Sequence, residues 1–159
     1  MIVDLLRNDV GRVAATGTVR VPALLEIEAY RTVWQMTSTV TATLRDDAGL
    51  DDVIAALFPC GSVTGAPKIS TMGVIADLEA SPREVYCGAI GLLRPGGEAT
   101  FSVPIRTAWI DRERGRAEYG TGGGVVWDST PDAEYDELLA KTRVIRAPWP
   151  PFRLLETMR

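Results

Sequence analysis

The sequence predicts an α+β fold, on three observations. A β-branched run at residues 32–45, TVWQMTSTVTATLR, alternates Val33, Gln35, Thr37, Thr39 and Thr41 with Trp34, Met36, Ser38, Val40 and Ala42, which is the period of a strand. Apolar residues recur at helical spacing over residues 50–58 and 67–79. Further strand runs joined by tight turns then lead into one more capped helix, and hairpin links of that kind favour antiparallel pairing.

Residues 1–8 set Ile2, Val3, Leu5 and Leu6 beside Asp4 and Arg7 and predict the last turns of a helix, broken at Asn8, Asp9 and Gly11. A helix that starts uncapped at full hydrophobic strength is odd for a true N-terminus, so Met1 is expected to be an internal methionine of a longer protein. Residues 12–21 alternate around Gly17 and predict a short hairpin. The helix over 50–58 starts at Asp51 and Asp52 and turns Val53, Ile54 and Leu57 inward. Residues 59–65 read as a loop, and the next helix carries Ile69, Met72, Ile75 and Leu78 on its apolar positions. Strands are predicted over 85–93 and 99–110 about a Pro95-Gly96-Gly97 turn, and over 116–126 after a turn at 111–115. Residues 1–146 are expected to form the domain and 147–159, with Pro148, Pro150 and Pro151, a tail.

Composition narrows the function. Hydrophobic content of 46% with 24% charged residues is that of a globular protein. A net charge of −4 and no basic stripe argue against nucleic-acid binding. No run of 18 apolar residues predicts a membrane span. Cys60 and Cys87 form no CxxC pair, and a reduced, cytoplasmic setting is expected. The chain has no histidine, which removes His-based triads and metal sites.

The stretch at 119–141, YGTGGGVVWDSTPDAEYDELLAK, concentrates the chemistry. Gly122, Gly123 and Gly124 leave backbone N–H groups unshielded, so an anion can approach. Asp128-Ser129-Thr130-Pro131 reads as a capped helix start. Glu134, Glu137 and Lys141 then project from one face, while Tyr135, Leu138 and Leu139 are expected to anchor another. Amides for a carboxylate and carboxylates for a hard cation thus lie together, and Mg²⁺ needs only one or two protein carboxylates. The plain alternative is a glycine hairpin and a solvated helix with a Glu–Lys pair. Arg106, predicted inside an apolar strand, offers a planar fork for a carboxylate; Tyr86 is expected in the neighbouring strand. An edge-strand arginine and a core tyrosine are the alternatives. Residues 62–68, with Thr64 and Lys68, form a loop of small residues opening onto a helix N-terminus, without the spacing of a Walker P-loop.

The ordered blocks MIVDLLRND, GSVTGAPK, YCGAIG, IRTA and GTGGGVVWDSTPDAEYDELLAK resemble the chorismate-utilising enzymes. The GSVTGAPK and WQMTST segments are most similar to their aminodeoxychorismate synthase component I branch; anthranilate synthase component I is the alternative, and a truncated, non-catalytic fragment a third. The resemblance implies two packed antiparallel sheets with outer helices, of which this chain would supply roughly the C-terminal half. It implies amination of chorismate at C4 on the way to 4-aminobenzoate and folate, with ammonia from a glutamine amidotransferase partner. It also implies that Tyr86 and Arg106 hold a chorismate carboxylate, completed by Gly122, Gly123 and Gly124. Glu137 would bind Mg²⁺, Glu134 would be an acid of the same network, Lys141 would lie near the metal-bound carboxylate, and Thr64 and Lys68 would border the site. Gln35 stands where many relatives have histidine. The Pro-Ile-Lys-Gly-Thr motif of the aminodeoxychorismate synthase branch and the family's second metal-binding glutamate precede the first block and are not in this sequence. Little or no turnover by these residues alone is therefore expected, with exposed sheet edges favouring self-association.

Overall fold

The computed structural model describes residues 1–31 and 33–146, so the tail expected at 147–159 lies outside the described residues. Two compact units divide the chain, Met1–Ile105 and Arg106–Arg159.

The first unit opens with helix α1 (Ile2–Gly11). The expected break at Asn8 and Asp9 does not occur, and the helix ends at Gly11, as expected. The Arg12 N–H closes that end on the Asp9 and Val10 carbonyls. The predicted hairpin over 12–21 is also absent. Ala15 donates its N–H to the Thr43 carbonyl and Arg45 to that of Val13, so this segment pairs with residues far along the chain. The hairpin lies later, between β1 (Arg20–Ala29) and β2 (Trp34–Thr41), which run antiparallel. Two register shifts interrupt the pairing between Arg20 and Glu26. Pro22 has no N–H for the ladder, and Leu25 takes φ 55° and sends its N–H to the Ser38 hydroxyl at 2.9 Å.

Helix α2 (Leu50–Leu57) begins with the Gly49 N–H donating to the Asp52 carboxylate at 2.9 Å. The loop expected at 59–65 contains one helical turn, α3 (Gly61–Thr64), and α4 (Lys68–Leu78) follows as predicted. The strand predicted over 85–93 forms only at its end, as β3 (Ile90–Leu93), paired with β4 (Ala99–Ser102) across the predicted glycine turn. Gly91 faces Phe101. A Cβ at Gly91 would stand 2.7 Å from the Thr100 carbonyl and closer still to the Phe101 ring, which packs on Phe58 with centroids 5.8 Å apart.

The second unit holds the hairpin of β5 (Ala108–Asp111) and β6 (Arg116–Tyr119), helix α5 (Pro131–Lys141) and the short α6 (Arg143–Arg146). The strand predicted over 99–110 is thus two strands: Pro104 lacks an N–H and Arg106 takes φ 53°. The strand predicted to 126 ends at Tyr119.

Helices with antiparallel sheets give the α+β class, yet among the described residues the strands form three sheets of two strands each. The buried apolar residues are small, Val13, Ala14, Ala56, Cys60 and Cys87, and no large side chain among the described residues is fully buried. Ile27 and Met36 face each other across β1 and β2, with 69% and 63% of their surface exposed. Among the described residues no single helix is long and apolar enough to cross a membrane.

Apolar surface of this kind drives association. The chain is expected to sediment above its 17.2 kDa monomer mass as concentration rises, and I27K/M36E to shift it toward monomer with its circular dichroism retained. In a second test, Gly91→Ala should destabilise by about 1–3 kcal/mol, the usual cost of overpacking, read as a lower urea midpoint.

Candidate functional site

In the second unit the glycine stretch and α5 meet through one cation. Lys141 Nζ lies 2.6 Å from Glu137 Oε1 and donates to the Gly122 carbonyl at 2.7 Å. The four-residue spacing places Glu137 and Lys141 on one helix face. The ammonium's hydrogen bond, then its charge, hold the Glu137 carboxyl below the usual carboxylate range. A lowered folded-state pKa means this pair contributes stability above the ordinary carboxylate pKa and loses it as pH falls through the folded value. Its exposure keeps that contribution small.

Glu134 is fixed separately. The Ser129 hydroxyl donates to Glu134 Oε1 at 2.5 Å and accepts from the Val126 N–H at 3.0 Å. A Cβ at Gly123 would lie 2.7 Å from Glu134 Oε2, so the carboxylate needs a bare backbone beside it. The predicted hydroxyl cap takes a different form. Thr130 is the N-cap with no side-chain bond, Pro131 sits in the first turn, and Ser129 serves Glu134 instead. Tyr135 does not anchor the helix; it is exposed, while Leu138 and Leu139 are half-buried. Gly122, Gly123, Glu134, Glu137 and Lys141 are thereby brought together. Gly124 follows them in the same loop, and a Cβ there would meet nothing within 4 Å.

Arg106 belongs to the same unit but to a bend between strands, not to a strand, and it is exposed. Its left-handed φ of 53° is unusual for a side-chain-bearing residue.

In the first unit, Tyr86 also lies outside any strand, in a turn before β3. Glu84 and Cys87, two residues before it and one after, take φ of 50° and 64°. Strain stored in such positions concentrates at functional sites. Burial first, then the neighbouring Cys87 thiol, push the Tyr86 phenol up to about 12, so it remains a hydrogen-bond donor at neutral pH. Burial likewise raises the Cys87 thiol. Cys60 and Cys87 are both free and buried.

Arg83, which sequence reasoning missed, organises this region. Its guanidinium forms a fork on Glu79, with bonds of 2.7 and 2.9 Å. It donates to the Val63 carbonyl at 3.1 Å and stands 6.0 Å from the Tyr86 ring centre. The i,i+4 spacing of Glu79 and Arg83 was the available signal. Thr64 is buried, and its hydroxyl lies 3.2 Å from the carbonyls of Cys60 and Gly65. Lys68 is largely buried. Its Nζ lies 2.9 Å from Asp9 Oδ1 and donates to the Ala56 carbonyl at 2.8 Å. Asp9, read from the sequence only as part of a helix end, is 3% exposed and accepts the Gly61 N–H at 2.8 Å. A cleft of about 860 Å³ opens beside this group, lined among others by Asp4, Asn8, Asp9, Gly65 and Lys68.

For a metal ion, the described residues contain no cluster of three or more acidic, cysteine or histidine side chains. Glu137 and the Gly122 carbonyl are oxygen donors of the kind a hard cation takes, and in this structure both are held by the Lys141 ammonium. A carboxylate oxygen and a carbonyl oxygen converge there on a single positive charge, and Mg²⁺ completes its shell with water and substrate oxygens.

The family model described as chorismate binding enzyme matches residues 1–147. The chain is 44% identical over 148 residues to aminodeoxychorismate synthase component 1 of Salmonella typhimurium, covering 93% of this chain and 32% of that protein. It is 41% identical over 146 residues to anthranilate synthase component 1 of Saccharolobus solfataricus, covering 92% and 34% respectively. The crystal structure of anthranilate synthase component I from Streptococcus pneumoniae superposes with a TM-score of 0.81 at 39% identity, over 92% of this chain and 33% of that one. The chain therefore spans about a third of the length of these relatives.

The Tyr86 phenol should ionise near pH 12 in an absorbance titration, and Tyr86→Phe should remove that step. Because its pKa is raised in the fold, its contribution to stability is full below about pH 10, the ordinary phenol value. That contribution should be lost as pH rises toward 12, read as a falling unfolding temperature that Tyr86→Phe flattens.

Proposed function

The chain belongs to the family of chorismate binding enzymes, and on that premise we propose that it supplies substrate- and metal-binding residues of an aminodeoxychorismate synthase component I. The reaction is amination of chorismate at C4: ammonia forms the new C–N bond, the C4 hydroxyl leaves, and water is the second product. A glutamine amidotransferase is the proposed ammonia source. The observation that carries the reading is the convergence of Glu137 and the Gly122 carbonyl on one cation beside three bare glycines.

Each residue's part follows from its chemistry. Arg106 binds a substrate carboxylate with a planar, permanently charged fork. Tyr86, protonated at neutral pH, donates its hydroxyl to a carboxylate. The amides of Gly122, Gly123 and Gly124 add donors that no side chain covers. Glu137 would hold Mg²⁺, which when bound draws electron density from a ring carboxylate and eases loss of the allylic hydroxyl. Lys141 would keep positive charge beside that carboxylate, and Glu134, which accepts the Ser129 hydroxyl, would accept or return a proton. Thr64 borders the site.

Anthranilate synthase component I is the second reading, favoured by the 41% identical relative and the 0.81 structural match. Products separate the two. Any product formed with ammonium as nitrogen source should keep its enolpyruvyl group; release of pyruvate with an ortho-aminated ring would favour the second.

Binding tests the common premise. Chorismate with Mg²⁺ should raise the unfolding temperature in proportion to the logarithm of ligand concentration. Glu137→Gln should abolish the Mg²⁺-dependent part. Arg106→Met should weaken chorismate binding about 10- to 100-fold, the worth of charge-assisted hydrogen bonds. An unfolding temperature indifferent to chorismate would defeat the proposal.

A further inference from the structure

We propose that Asp9 is a positioning residue, setting through Lys68 and the Gly61 amide the geometry of the 61–68 loop; this rests on the proposed chorismate site. The assignment comes from how completely the Asp9 carboxylate is shared. One oxygen lies 2.9 Å from Lys68 Nζ and the other accepts the Gly61 N–H at 2.8 Å. These are the first residues of α4 and α3, so one side chain of α1 fixes both ends of the loop that carries Thr64. Lys68 extends the tie to α2 through the Ala56 carbonyl at 2.8 Å.

Burial makes the arrangement compulsory. The side chains of Asp9 and Lys68 are only 5% and 12% exposed, and a carboxylate so removed from water is tolerable only when paired and hydrogen-bonded. The backbone also fits closely here: a Cβ at Gly61 would stand 3.2 Å from Asp9 Oδ2 and 3.5 Å from Leu5 Cβ. Between the two anchored residues, Gly65 takes φ of +92° and Thr64 turns its hydroxyl onto the Cys60 and Gly65 carbonyls. The ammonium of Lys68, occupied by two oxygens, therefore acts on the loop's shape, and Asp9 acts on the loop through Lys68 and the Gly61 amide together.

The test uses the full chain and four variants. Asp9→Asn keeps shape and an acceptor for Gly61 but removes the charge. Lys68→Met removes the cation, D9N/K68M leaves no unpaired buried charge, and Lys68→Arg restores one. Hydrogen exchange is followed across residues 61–68 and, as an internal control, across β5, β6 and α5. Asp9→Asn and Lys68→Met should each speed exchange in the loop more than tenfold with the control elements unchanged. The double variant should be no worse than the worse single, and Lys68→Arg should recover much of the protection. Chorismate affinity should fall about tenfold in Asp9→Asn. Exchange that rises equally in loop and control elements, or a Lys68→Met loss of chorismate affinity with no effect of Asp9→Asn on either readout, would overturn the assignment. If the unaltered chain binds no chorismate, the functional reading fails, while the exchange pattern still decides whether Asp9 sets the loop.

Discussion

The first unit depends on a carboxylate taken out of water. Asp9 binds Lys68 and the Gly61 amide where almost no solvent reaches. A buried pair of this kind adds little net stability over an apolar replacement, but removing one partner alone typically costs about 3–5 kcal/mol. That asymmetry gives the pair its structural effect. Any arrangement of α1, α3 and α4 that separates the two charges leaves one buried and unpaired. The apolar core offers little to override it, because its buried members are small. Register in this unit is therefore set by charge and hydrogen bonding more than by interdigitated side chains.

The second unit uses a cation in another way. The Glu137–Lys141 pair is exposed, so its strength is modest; its importance is directional. The ammonium joins the glycine stretch to a helix that begins several residues later. Glu134 is held apart from it by the Ser129 hydroxyl. Two acids three residues apart on one face thus have different partners. One is pinned by a neutral hydroxyl and the other by a positive charge.

Local signals in the sequence suffice where the structure itself is local. Helices at 50–57, 68–78 and 131–141, and the strand at 34–41, follow apolar period and capping chemistry that act within one or two turns. The Lys141–Glu137 pair was legible for the same reason. Misses occurred where distant residues decide. Strand β1 escaped notice because Pro22 and the left-handed Leu25 disturb its alternation, while its pairing with β2 holds it. Tyr86 and Arg106 were read as strand residues because their flanks are apolar and β-branched. Pro104 and the positive φ values at Glu84, Cys87 and Arg106 instead place them in turns. Nothing local marks Asp9 as buried; its partners lie 52 and 59 residues away. The roles that family resemblance assigns to Tyr86, Arg106 and Glu137 rest on motif identity.

The three sheets carry a final consequence. A lone two-stranded hairpin is marginal in water, and here β1 and β2 expose Ile27, Met36 and Trp34 on the face they should bury. Such a sheet gains free energy from whatever covers it, whether further strands, a second copy or a partner. By mass action the cover stabilises the covered state in proportion to the logarithm of its concentration. The Asp9–Lys68 tie requires no such cover, since both charges are satisfied within one unit. The helical part of the first unit is thus specified by internal polar contacts, whereas the hairpins are specified by pairing and remain open to addition. Order at α1, α3 and α4 should accordingly be less sensitive to concentration than order at β1 and β2.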